Sequence, residues 1–337
     1  MITILSYKMD VDLYTTPYEK FSYKEIISRL FSSFENQWKK TPPSLDSVKN
    51  FTQDVTNYNQ LERTDFLYMM AVAVVFIIYR YLMSNLIWAP IGKWLQFKKK
   101  DQIKFPESAA KLFYFIIFAA YEYYLINCKY SELRYIPGAA WVDWHWTIDV
   151  PRDIYILYIV QAGSYFYGVY GTLFLDIWRK DSIAMLFHHI IANSLIIFSL
   201  AFRCHKIGLV VLYLHDMADV ALETTKIFTC FNNRDKSKFW DFLTTCGFLW
   251  FTAVWFFQRL YVYPLVVLFS SGHVLDLVNG NNDIFYFFFN GMLWTLFALN
   301  VWWFMFIVDL IFRIVTGKSR VEDTREDEEE DSTKKNV

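Results

Sequence analysis

Apolar residues in this chain gather into long runs separated by short polar links. A helix that crosses the hydrocarbon core of a bilayer needs about 20 mostly apolar residues. Seven stretches meet that length: residues 66–88, 109–128, 153–175, 182–202, 207–228, 240–260 and 284–308. The sixth can run on through YPLVVLF, where Pro264 is expected to bend or end it. The pattern predicts an all-α, polytopic membrane protein with about seven transmembrane helices and no sizeable soluble domain. It divides into a segment 1–64, a first span 65–88, a basic loop 89–103, a bundle of six spans over 104–315 and an acidic tail 316–337.

Composition agrees. Of 337 residues, 55% are hydrophobic and 20% aromatic, more apolar than an ordinary soluble domain. Net charge is only -1, so the placement of charge informs more than its sum. Cations cluster in GKWLQFKKKDQIK after the first run, WRKD after the third, NNRDKSK after the fifth and RIVTGKSR after the seventh. SSGHVLDLVNGNND, before the last run, has none. The positive-inside rule then places the N-terminus in the lumen and the C-terminus in the cytosol.

Asn50-Phe51-Thr52 is the one N-glycosylation sequon. It falls on the lumenal side and makes Asn50 a candidate acceptor. The final KKNV resembles a dilysine signal for the endoplasmic reticulum, an address read by a receptor. Cys128, Cys204, Cys230 and Cys246 have neither zinc-site nor disulfide-framework spacing. MITILSYKMD has too short an apolar core for a signal peptide. No nucleic-acid partner is expected.

Ionisable groups inside spans are costly and mark function by default. The fourth run carries His188, His189, Asn193 and Ser199. The fifth carries His215, Asp216, Asp219, Glu223 and Lys226. At about 100° per residue these five fall within an arc of roughly 100°, so one face of that helix is polar and must look into the bundle or a wet cavity. A salt-bridge network that only orders the helices is the alternative, and three acids against one lysine fit it poorly. His188 and His189 also point about 100° apart. One ring is expected to enter a cavity beside Asp219 while the other is held between helices. His188 lies roughly 9 Å inside the membrane from the cytosolic end of its run, and Asp219 and Glu223 lie at a similar depth.

The chemistry narrows further. Only six histidines occur, with no HxxxH pair, so a di-iron oxidase and a metal centre are not expected. No GxSxG elbow and no phosphate-cradling glycine loop is present. A histidine held by a carboxylate suits proton abstraction, or nucleophilic catalysis through an acyl-imidazole.

The stretch DSIAMLFHHIIANSLIIFSLAFRCHKIGLVVLYLHDMADVALETTKIF resembles the Lag motif of ceramide synthases in the TLC-domain superfamily. That motif reads, in outline, HH, then S-Y, then R-x-G, then H-D-x-x-D-x-x-x-E-x-x-K. Residues 181–228 supply His188, His189, Ser199, Gly208, His215, Asp216, Asp219, Glu223 and Lys226 in that order without gaps. KFPESAAKLFYF, YRYLMSNLIWAPIGKWL, FFFNGMLWTLFALNVWWF and VEDTREDEEED are similar to other parts of the family. The likeness covers roughly residues 66–331. Leu200 departs from the motif's Tyr, and Lys206 from its Arg. The link between the first two spans is too short for the Hox-like domain that many animal members carry.

The resemblance implies a six-helix TLC bundle enclosing a lipid or acyl cavity in the endoplasmic reticulum membrane. It implies transfer of a fatty acyl group from acyl-CoA, a co-substrate, to the amine of a sphingoid base, with no other cofactor. His188, His189, Asp216 and Asp219 are then the candidate catalytic residues. His215, Glu223, Lys226, Ser199, Arg179 and Lys180 are the candidate substrate-binding ones. The lumenal link before the last span influences chain length in that family. Membrane lipid is a further expected partner, and a homo- or heterodimer is left open. The rival reading is a non-enzymatic TLC-fold protein that binds or senses lipid.

Overall fold

The computed structural model describes residues 15–40, 45–279 and 285–316, apart from the side chains of 45–50 and 278–279. Regular structure among the described residues is helical throughout. Two helices precede the bundle, α1 (Tyr23–Lys40) and α2 (Leu45–Tyr58). Seven long ones follow: α3 (Arg63–Trp94), α4 (Lys99–Lys129), α5 (Arg152–Phe174), α6 (Ser182–Ala201), α7 (His205–Asp235), α8 (Lys238–Leu277) and α9 (Tyr286–Val315). Each apolar run of the sequence lies essentially within one of α3–α9. Five of these helices are long and apolar enough to cross a membrane. The other two, α5 and α7, match them in length, but α5 is rich in Tyr and Gly and α7 in charge.

The ends of the helices differ from the sequence reading in two places. Residues 89–103 are mostly helix rather than loop. The chain turns only between Trp94 and Lys99, with Gln96 in the left-handed region at φ 56°. Nor does Pro264 end α8. The turns widen to i→i+5 over Phe256–Val262, Pro264–Leu268 and Ser270–Val274, and the helix continues to Leu277. A proline lacks an N–H and crowds the preceding turn; a wider turn accommodates both. SSGHVLDLVNGNND, expected as a loop, therefore begins as helix. Its residues 280–283, like the tail from 317 to KKNV, lie outside the described residues. Asn50 falls within α2, and its side chain is outside those described.

Packing follows the polar faces. Helix α7 is clasped by α4 and α8, α5 lies between α3 and α6, and α9 closes against α6 and α8. The outer faces of α3 and α9 stay apolar, with Leu67, Val75, Leu86, Met305 and Phe312 exposed. Such a surface is unfavourable in water and suits lipid. The basic links at Trp94–Lys99, after α5 and after α7 gather at one end, called here the basic end, with the last turn of α9 and its Arg313. Helices α1 and α2 sit at the other. The side chains α1 buries, Ile26, Leu30, Ser33 and Gln37, recur on one helical face.

One contact fixes how α5, α6 and α7 meet near that opposite end. The Tyr158 hydroxyl donates to the His205 carbonyl at 2.9 Å and accepts from Ser199 at 3.3 Å. Gly208 makes this possible, since a Cβ there would lie 1.9 Å from the Tyr158 hydroxyl oxygen. Gly208→Ala is expected to break the Tyr158–His205 bond and destabilise the fold by about 2 kcal/mol, the scale of an overpacked core. Thermal unfolding of detergent-purified protein checks this, and an unchanged midpoint would refute it.

Candidate active site

The basic end opens into a cavity of about 300 Å³ bounded by α4, α5, α6, α7, α8 and α9. Of the candidate residues, His188, His189, Asp219, Glu223, Lys226 and Arg179 line it. The expectation that only one histidine of the pair enters a cavity is corrected: both do, through different walls. His188 is buried, at 7% exposure. It packs edge-on against Trp303 at 5.3 Å and over His215 at 6.1 Å between ring centres. The Trp303 indole N–H donates to Asp181 at 3.0 Å, which fixes that wall. His189 turns toward α5, 5.8 Å from the Tyr165 ring and flat enough against Gly168 that a Cβ there would lie 3.2 Å from the imidazole. The Nδ1 atoms of both rings are buried without a hydrogen-bond partner.

The polar face of α7 divides in depth. Asp219, Glu223 and Lys226 border the cavity, while His215 and Asp216 stand behind it, at 2% and 1% exposure. His215 is oriented by two bonds. Its Nδ1 lies 2.8 Å from the Val211 carbonyl, which can only accept, so the proton sits on Nδ1. Its Nε2 faces the Asn300 amide nitrogen at 3.4 Å. Asp216 accepts from the Gln161 amide at 2.6 Å, and the same nitrogen donates to Glu122 of α4 at 2.8 Å.

Three acids against one lysine implied surplus negative charge on α7. The neighbouring helices correct that count. Arg259 of α8, 3% exposed, donates to Asp219 at 2.7 Å and to the His215 carbonyl at 2.9 Å. Its guanidinium also lies 4.0 Å over the Trp255 ring. Nearer the mouth, Lys111 of α4 bridges Glu107 and Asp176 at 2.9 and 2.6 Å. Arg80 of α3 reaches Asp176 at 3.4 Å, Arg179 lies 3.8 Å from Glu107, and Lys226 pairs with Glu223 at 2.7 Å. The mouth is thus a lattice of paired charges of both signs.

Two candidates stand apart. Ser199 belongs to the Tyr158–Gly208 junction and borders a second, apolar cavity. Lys180 is exposed and does not line the first cavity. At the departures from the motif, Leu200 is fully buried, and Lys206 makes a single bond to the Val142 carbonyl at 3.2 Å. The sequence reading missed Arg259, Lys111, Glu122 and Arg80. Each is a charged residue inside an apolar run, the signal that singled out α7.

Chemically, the cavity offers two imidazoles, a carboxylate held by a guanidinium and an aromatic wall, with cations at its entrance. Such a set can hold an anionic head group at the mouth, an apolar chain further in and a reacting carbonyl beside a base.

Comparison with known proteins agrees with these features. The TLC-domain family model matches residues 104–309. The chain is 37% identical to ceramide synthase 1 of Homo sapiens over 243 residues, 71% of this chain and 69% of that protein. It is 34% identical to ceramide synthase 1 of Mus musculus over 250 residues, 73% of this chain and 71% of that protein. It is 26% identical to ceramide synthase LOH2 of Arabidopsis thaliana over 305 residues, 85% and 99%.

Proposed function

This chain belongs to the TLC-domain family, and on that premise we propose that it is a ceramide synthase, moving a fatty acyl group from acyl-CoA to the amine of a sphingoid base. The observation that carries this is the buried His188 in a largely apolar and aromatic cavity whose mouth holds Lys111, Arg179 and Lys226 in pairs with Glu107, Asp176 and Glu223. Relatives named as ceramide synthases favour this over the lipid-sensing alternative.

The reaction forms an amide C–N bond and breaks a thioester C–S bond. In one route a nitrogen of His188 attacks the thioester carbon. The CoA thiolate leaves with the imidazole N–H proton; the amine then attacks the acyl-imidazole, the bond to the ring nitrogen breaks, and the amine proton returns to the imidazole. In the other, His188 takes the amine proton as nitrogen attacks the thioester directly, and the departing thiolate takes that proton back. In both, Asp219, held by Arg259, stabilises imidazolium charge as it develops. His215 and Asp216 support the wall behind. Arg179 and Lys226, joined by Lys111, face the phosphates of CoA at the mouth. The acyl-CoA is a co-substrate, and no other cofactor enters the scheme.

The protein then sits in the endoplasmic reticulum membrane with its basic end cytosolic, so that water-soluble CoA enters there and lipid enters between helices. The test is acyltransferase activity of microsomes toward a sphingoid base with a panel of acyl-CoAs. Formation of N-acyl product that depends on both substrates is expected. A well-folded protein inert with every chain length would sink the reading.

A further inference from the structure

Beyond Tyr165 and His215, on the far side from the mouth, lies a second cavity of about 50 Å³. Tyr165 borders both cavities, so the two are neighbours with that ring between them. The second is almost wholly apolar, lined by residues such as Leu212, Ile196, Leu293, Leu296 and Phe289. Its end wall is the far part of α8, where Ser271 and Leu275 face inward.

That wall has two faces, formed by neighbouring residues that point about 100° apart around the helix. Ser271 and Leu275 look into the cavity, while Gly272, His273 and Asp276 look out and meet α1. Leu30 packs so closely that a Cβ on Gly272 would lie 2.6 Å from its Cδ2. The Ser33 hydroxyl meets His273 Nδ1 at 2.8 Å. Asp276 accepts from Gln37 at 2.5 Å and pairs with Lys40 at 3.5 Å. Here α8 runs in i→i+5 turns over Ser270–Val274, whose hydrogen bonds are uncommon outside short functional bulges. A wall of that kind takes its position from what packs on it: Trp141 holds Ser270, Tyr286 and Asn290 of α9 hold Gly272 and Ser271, and the outer face of His273 and Asp276 is met by α1, which lies outside the matched TLC residues 104–309.

We propose that α1 is a brace that sets the depth of the second cavity, and that this cavity receives the methyl end of the fatty acyl chain. The N-terminal helix is then a positioning element for acyl-length selectivity. The proposal rests on the acyltransferase reading and adds to it a determinant outside the TLC domain.

The test is competition among acyl-CoAs from long to very-long chain, with the product lengths read by mass spectrometry. Leu275→Phe fills the cavity directly and is expected to shift products toward shorter chains. Leu30→Ala, and Gln37→Glu, which sets a carboxylate against Asp276, are expected to release the wall. They should change the ratio of longest to shortest product by about tenfold, the scale of one methylene in an apolar pocket, with turnover of the shortest chain kept. Gln37→Ala serves if Gln37→Glu fails to yield monodisperse protein. If Leu275→Phe shifts the profile and the α1 variants do not, the brace is overturned. If none shifts it, the cavity does not hold the acyl end. An inert wild type would instead overturn the acyltransferase reading and this proposal with it.

Discussion

His188→Ala is expected to reduce acyl transfer by at least about 10²–10⁴-fold, the contribution of a positioned acid–base group, and by more if the imidazole carries the acyl chain. The protein should still fold. His188 fills a gap between Trp303 and His215, and alanine leaves a void beside groups already held by Asp181 and Asn300. His189→Ala is expected to act differently, because its ring lies against Gly168 and away from Trp303. Its loss should fall mainly on how the chain and thioester are seated. Microsomal activity of both variants at matched expression, with saturating and limiting acyl-CoA, checks this. Activity of His188→Ala within a fewfold of wild type would remove His188 from the chemistry.

The second large effect belongs to Arg259. Arg259→Gln leaves Asp219, half-buried in the cavity wall beside other acids, without its guanidinium partner. Removing one member of a fully buried ion pair costs about 3–5 kcal/mol, because the remaining charge is uncompensated; with Asp219 bordering the cavity the loss is expected at or below the lower end of that range. The His215 carbonyl also loses a donor. A marked fall in thermal stability is expected for Arg259→Gln, and a smaller one for Asp219→Asn. The double variant should be more stable than the sum of the two predicts, by more than about 0.5 kcal/mol, since groups in one network couple. Additive losses would mean that the pair contributes nothing as a pair.

Much of this arrangement was legible in the sequence, and the reasons differ from part to part. The spans announced themselves because lipid demands uninterrupted apolar length. The His188–His189 pair and the face of α7 stood out because charge in hydrocarbon needs a reason. Arg259 was no less conspicuous, a lone cation near the end of an apolar run. Its partner lies 40 residues away on another helix, and the wheel of a single helix cannot show pairing between helices. The division of α7 into cavity-lining Asp219 and buried Asp216 was hidden for a similar reason. Periodicity gives direction around an axis, and depth depends on what Gln161 and Glu122 bring from α5 and α4. Pro264 misled because its local rule assumes i→i+4 turns, and α8 there adopts wider ones.

The turn between α3 and α4 has a consequence for how such a chain can be enlarged. Trp94 and Lys99 bring two long helices together through four residues, and Lys98, Lys99 and Lys100 are exposed at the basic end. The hinge is anchored one residue earlier by Phe97, which is 2% exposed and packed on Phe105 and Phe231. The two ends on either side of Lys98–Lys99 are therefore already adjacent and fixed by residues outside the break. Extra chain inserted there adds only loop-closure entropy, about 0.6 kcal/mol for each doubling of its length. A whole folded module could be grafted at that point with the membrane bundle left intact, which makes this corner the natural docking port of the architecture.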